Sequence, residues 1–204
     1  MRRRDILKEH LMATGESVLG KKDFPPVAFY LCQSGKGDIS TPWVLSFTGR
    51  GSDPCLVEKY SWAKKIAGQG SDPRFKMNAE KGYINIQLSD SYIINTVNEL
   101  AGEFEKDKYN DICPDDSNPN FLQDYLIYLA TNYREPEISA SLEDLKDFRQ
   151  LGVLIVYGDI SNNVEKLKDC LYFYLRQGSD PRPEILMAAA RLFTRQGSDP
   201  IFDV

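Results

Sequence analysis

Apolar residues recur along the chain with two different spacings. Ile6, Leu7, His10 and Leu11 fall on one helical face, which predicts a helix over 3–14. "KKDFPP" breaks it, and "VAFYLCQ" (27–33) is apolar enough for a strand. "SGKGDISTP" (34–42) reads as a loop, and "WVLSFTGR" (43–50) as a short helix or a strand. Over 54–69, Leu56, Val57, Tyr60, Ala63 and Ile66 line one side of an amphipathic helix. "RFKMNAE" and "GYINIQLS" then predict two strands around a Lys81-Gly82 turn. Ser89 or Asp90 caps the helix that follows.

Beyond residue 120 the spacing is helical. "DKYNDICPDDSNPN" (107–120) is polar, holds Pro114 and Pro119, and reads as a linker. A helix is predicted at 120–135. A second opens on Ser141 and Asp144, the S-x-x-D of a capping box. "SNNVEKLKDCLYFYLRQ" and "PRPEILMAAARLFTRQ" predict two more. The fold class expected is α+β: a small α/β domain with a short antiparallel sheet at 1–105, a linker at 106–120 and an all-α domain at 121–204.

The tetrapeptide GSDP occurs four times, starting at residues 51, 70, 178 and 197. Its parts suit helix boundaries. Glycine ends a segment, aspartate caps a helix start, and proline fits the first helical position. Stop–start punctuation between helices is the plain reading; a binding motif and repetition inserted at loops are the alternatives.

Composition narrows the class. Hydrophobic residues make up 42% of 204, with 21 Phe and Tyr and two Trp, so a packed core is expected rather than disorder. No apolar run approaches the roughly 20 residues of a membrane helix, and no signal-peptide core follows the basic start, which points to a cytoplasmic protein. Cys32, Cys55, Cys113 and Cys170 form no CxxC pair and read as reduced, mostly buried thiols. With His10 as the single histidine, neither a metal site nor a cofactor is expected. Residues 1–105 carry 14 Lys/Arg against 13 Asp/Glu, and 106–204 carry 11 against 17. The acidic second half argues against broad nonspecific nucleic-acid binding and leaves room for a local basic face in the first.

The order of elements across 27–100 resembles the N-terminal additional domain of arginyl-tRNA synthetases. The matching stretches are Gly37-Asp38-Ile39-Ser40-Thr41-Pro42 and Gly82-Tyr83-Ile84-Asn85-Ile86-Gln87-Leu88. The second half is similar to the DALR-type helical anticodon-binding domain of the same enzymes. "NFLQDYLIYL" stands for its first helix and "PEILMAAARLFTRQGSDPIFDV" for its last helix and tail. Between these modules the enzymes carry a catalytic domain with HIGH-type and KMSKS-type motifs. Here a short acidic linker stands in that place. The resemblance therefore implies tRNA-facing modules without aminoacylation chemistry.

Candidate residues follow. "SGKGD" is not a Walker A loop, because Gly37 follows Lys36. Its plain reading is a turn; by the resemblance it lies near RNA, with Lys36 and Asp38 at the contact. Alternation puts Tyr83, Asn85 and Gln87 on one strand face, either a solvated surface or an RNA platform. The resemblance gives that face a part in recognising the tRNA D-loop, with Lys76 and Lys81 supplying charge. In the helical half, Arg176 and Arg191 are candidate phosphate contacts, with Arg195 beside them. Tyr125, Tyr128, Tyr133, Tyr172, Phe173, Tyr174 and Phe193 are expected mostly in the core. No Ser/His/Asp or Cys/His arrangement stands out, so no enzyme is expected. The expected function is a non-catalytic tRNA- or RNA-binding protein. A protein-interaction adaptor working through the helical domain is the alternative, and a degenerate product with no ligand is a third.

Overall fold

The structure is a computed structural model. It describes residues 6–20, 23–32, 35–47, 55–69, 72–117, 121–132, 146–161, 167, 169–171 and 182–198. The fold is mixed α+β and divides into two compact units, Met1–Tyr92 and Ile93–Val204.

The first unit is a four-stranded antiparallel sheet with helices on one face. Its strands are β1 (Tyr30–Leu31), β2 (Ile39–Thr41), β3 (Phe75–Glu80) and β4 (Tyr83–Leu88), in the order β1-β2-β4-β3. The β3–β4 hairpin falls where alternation puts it. Its turn has Lys81 at φ 49° and Gly82 at φ 83°, the two positive φ values of a type I′ turn. A Cβ on Gly82 would also stand 2.4 Å from Leu45 Cδ2, so any larger residue here would have to push that side chain aside.

Two strand boundaries differ from expectation. The apolar 27–33 segment is strand only at Tyr30–Leu31, and Ile39–Thr41, read as loop, is strand β2. Hydrophobicity failed here because β2 is short and polar. It is held by long-range bonds to β4: Asp38 N donates to Ile86 O at 2.8 Å, and Leu88 N donates to the Asp38 carboxylate at 2.7 Å.

Helices α1 (Ile6–Leu19) and α2 (Leu56–Gln69) cover the apolar face: α2 packs on β3 and β4, and α1 on α2. Ile84, Ile86 and Leu88 of β4 and Ile39 of β2 point into this layer and are buried. A turn of 3-10 helix, Trp43–Ser46, closes one end. Trp43 is 2% exposed, lies against Phe24 and Phe47, and donates from Nε1 to Pro25 O at 2.8 Å. α1 runs beyond the expected residue 14 to Leu19, with the Thr14 hydroxyl turned back onto His10 O at 2.7 Å. α2 starts near its expected place, where the Glu58 carboxylate accepts the Cys55 N–H at 3.0 Å, half of a capping box. Its first turn departs from the predicted stripe: Leu56 and Val57 are 60% and 74% exposed, while Ala63 and Ile66 are buried.

Two of the four GSDP copies have described residues, and these two differ. In the copy at 70–73, Asp72 starts no helix. Its carboxylate accepts the Arg74 N–H at 2.8 Å in an Asx turn that feeds β3, and Arg74 Nε and Nη2 bind it at 2.9 and 2.6 Å. His10 Nδ1 of α1 lies 3.8 Å from the same carboxylate. In the copy at 197–200, Gly197 and Ser198 are still helical. The other two copies, at 51–54 and 178–181, lie outside the described residues.

Helix α3 (Asp90–Gly102) begins at Ser89, whose hydroxyl accepts the Tyr92 N–H at 3.3 Å. The unit boundary falls inside this helix, between Tyr92 and Ile93. In the second unit, Ile93, Val97 and Leu100 are buried. A Cβ on Gly152 would stand 2.2 Å from Ile93 Cγ2, so glycine lets the two helices touch there. The segment expected as a linker opens with a 3-10 turn, Lys106–Tyr109, and Tyr109 stacks on Phe104 at 5.5 Å. The remaining described helices are α4 (Phe121–Asn132), α5 (Lys146–Ser161) and α6 (Pro183–Ser198), with residues 169–171 also helical. α5 is buried without a break from Leu151 to Tyr157, as a central helix must be, and α4 and α5 both pack on α6. Of the aromatic group, Phe193 is core, Tyr125 is half-buried against Phe121, and Tyr128 is 39% exposed; Tyr133, Tyr172, Phe173 and Tyr174 lie outside the described residues, as does the Ser141–Asp144 capping box.

Among the described residues no helix is long and apolar enough to cross a membrane. No disulfide joins the cysteines. Contrary to expectation, Cys55 and Cys113 are exposed and Cys32 and Cys170 half-buried. Cys55 sits at the open start of α2 and Cys113 in a polar stretch, neither of which has a core to enter.

Candidate functional site: the polar face of the sheet

Directly opposed residues in an antiparallel sheet project to the same side. Tyr30 opposes Ser40, Ser40 opposes Asn85, and Asn85 opposes Asn78, so these four form a row across all four strands. Tyr83 opposes Glu80 and Gln87 opposes Lys76 on the same side. The face so defined lies opposite the helices. Tyr30 is 50% exposed and Tyr83 44%, and Lys76, Asn78 and Gln87 are exposed.

Several residues expected at one surface therefore do meet. Tyr83, Gln87 and Lys76 share the open face, and Lys81 is exposed at its corner in the hairpin turn. Asn85 shares the face but is only 6% exposed. Its Nδ2 donates to Asn78 Oδ1 at 3.3 Å, and the Cys32 thiol reaches its Oδ1 at 4.0 Å. Asn78 Nδ2 lies 3.5 Å from Lys36 O. The Asn85 amide is thus a structural cross-tie. Asp38 is occupied similarly, its carboxylate fastening β2 to β4. Lys36 is exposed and ion-paired with Glu80, the last residue of β3. That pairing, chiefly the hydrogen bond from Lys36 with a smaller attraction from Lys81, holds the Glu80 carboxyl below its ordinary range.

Arg191 lies in the other unit, half-buried, with Nε 3.8 Å from a Glu103 carboxylate oxygen. Arg176 lies outside the described residues, as does the side chain of Arg195. Tyr30 was missed in the sequence because the apolar 27–33 stretch reads as a buried strand. The signal was present: Val27 and Phe29 are buried while Ala28 and Tyr30 are exposed, a strict alternation.

Chemically, the face offers two phenol rings that can stack on flat unsaturated groups, an amide with donors and an acceptor at Gln87, and ammonium groups at its margin. None of the models of known protein families matches the chain, and no curated protein matches it.

Proposed function

We propose that the chain is a non-catalytic RNA-binding protein that presents the polar sheet face of its first unit to tRNA or another structured RNA. The observation carrying this reading is the open antiparallel face with two exposed tyrosines. Unpaired bases are bound by stacking on aromatic rings of such a face, while lysines meet phosphates and amides meet base edges. The expected kinship with arginyl-tRNA synthetases and the cytoplasmic location belong to the same proposal.

The test is a titration of the purified chain against total tRNA at low salt and at about 150 mM salt. Saturable binding that weakens with salt is expected. Tyr30→Ala and Tyr83→Ala should each weaken it about fivefold or more, the scale of one lost stacking contact. If both variants bind as the unaltered chain does, the platform reading is wrong.

A protein-interaction adaptor is the second reading, and the exposed Leu56 and Val57 at the start of α2 favour it. Binding through such an apolar patch would change little with salt.

A further inference from the structure

The face carries a carboxylate where an RNA ligand would least tolerate one. Glu80 stands opposite Tyr83 across the hairpin, on the same face of the sheet. It also holds Lys36, which is 44 residues away in sequence and arrives from the loop before β2. Both partners are about half exposed, at 48% and 42%, so both are accessible to a ligand and to water. A phosphate drawn to Lys36 finds that ammonium already paired with this carboxylate.

We propose that Glu80 is an acidic gate on the RNA-binding face, occupying Lys36 against polyanions that do not displace it. This rests on the RNA reading above. The physical basis is competition: one ammonium cannot fully neutralise both a fixed carboxylate and an incoming phosphate. An exposed ion pair is weak enough to be opened by a multivalent ligand. Weak or short anionic ligands are turned away, while one that also stacks on Tyr30 and Tyr83 is admitted. Glu80 is thus a specificity-determining residue rather than a contact.

The experiment compares the unaltered chain with Glu80→Gln, Lys36→Ala and the double variant, titrated with total tRNA and with a short unstructured polyphosphate. Circular dichroism confirms that all four are folded. Glu80→Gln should raise tRNA affinity about three- to tenfold at low salt, with the gain shrinking near 150 mM. Polyphosphate affinity should rise by a larger factor, because that ligand has no base to stack. The gain should vanish in the double variant, because it acts through Lys36. If the unaltered chain binds tRNA with salt dependence but Glu80→Gln binds no better, the gate is refuted and the RNA reading stands. A gain that survives in the double variant also refutes it. If the unaltered chain fails to bind while Glu80→Gln binds, the RNA reading falls, and with it a gate that admits structured RNA. If neither binds, both readings fall.

Discussion

At the scale of single residues, Asp72 shows how one side chain decides a local structure. Its sequence neighbourhood, Gly-Ser-Asp-Pro, suits a helix start, yet the carboxylate closes a turn with Arg74 and lies near His10. The Arg74 hydrogen bonds are the main reason its carboxyl sits below the ordinary value of 3.8. A depressed carboxyl contributes stability above its unfolded-state value, and that contribution is lost as pH falls through its folded-state value. Asp72→Asn keeps the acceptor for the Arg74 N–H but loses the charge. Its urea midpoint should fall below that of the unaltered chain at pH 6, by the equivalent of about 1–3 kcal/mol. The gap should narrow as pH drops below 4. A gap that stays constant to pH 3 would show that the charge contributes nothing. Asn85 teaches a related lesson. Alternation placed it on the right face, but nothing in its own strand announces that Asn78 of the neighbouring strand and the distant Cys32 engage its amide.

At the scale of elements, legibility followed how local each cause was. The β3–β4 hairpin was readable because "GYINIQL" alternates and Lys-Gly can take two positive φ values. Lysine is a poor choice for the first of them. Lys81→Asn should therefore raise stability by about 0.5 kcal/mol, seen as a higher midpoint in thermal melts. The same variant should weaken tRNA binding by removing a cation, so the two effects separate charge from conformation. Strand β2 was not readable, because "IST" becomes a strand only through partners in β4 some 45 positions later in the chain. The first turn of α2 misled in the opposite way: Leu56 and Val57 continue the apolar stripe in sequence but are exposed, whereas Tyr60 is half-buried and Ala63 and Ile66 are buried. Of the candidate site, the faces of Tyr83 and Gln87 could be read from alternation. The occupation of Lys36 and Asp38 could not, since both bonds join residues more than 40 positions apart.

At the scale of the whole molecule, the unit boundary at Tyr92/Ile93 sharpens the charge contrast. Residues 1–92 carry 14 Lys/Arg against 10 Asp/Glu, a net of +4; residues 93–204 carry 11 against 20, a net of −9. A polyanion is thus drawn to the first unit and repelled by the second. The boundary also bears on dissection. A chain cut after Glu105 keeps all of α3 but loses α5, whose Gly152 lies against Ile93. Ile93, Val97 and Leu100 would then face water. Such a fragment should bind a hydrophobic dye and aggregate where the full chain does neither; a monodisperse, dye-silent fragment would refute this. Finally, both tryptophans, Trp43 and Trp62, belong to the first unit, and Trp43 is sealed among Phe24 and Phe47 with its indole N–H bonded to a backbone carbonyl. The molecule therefore carries a built-in optical label on the unit that bears the sheet. Indole emission follows the unfolding of that unit alone, while ellipticity follows the helices of both, so recording the two together resolves the chain's halves without any added dye.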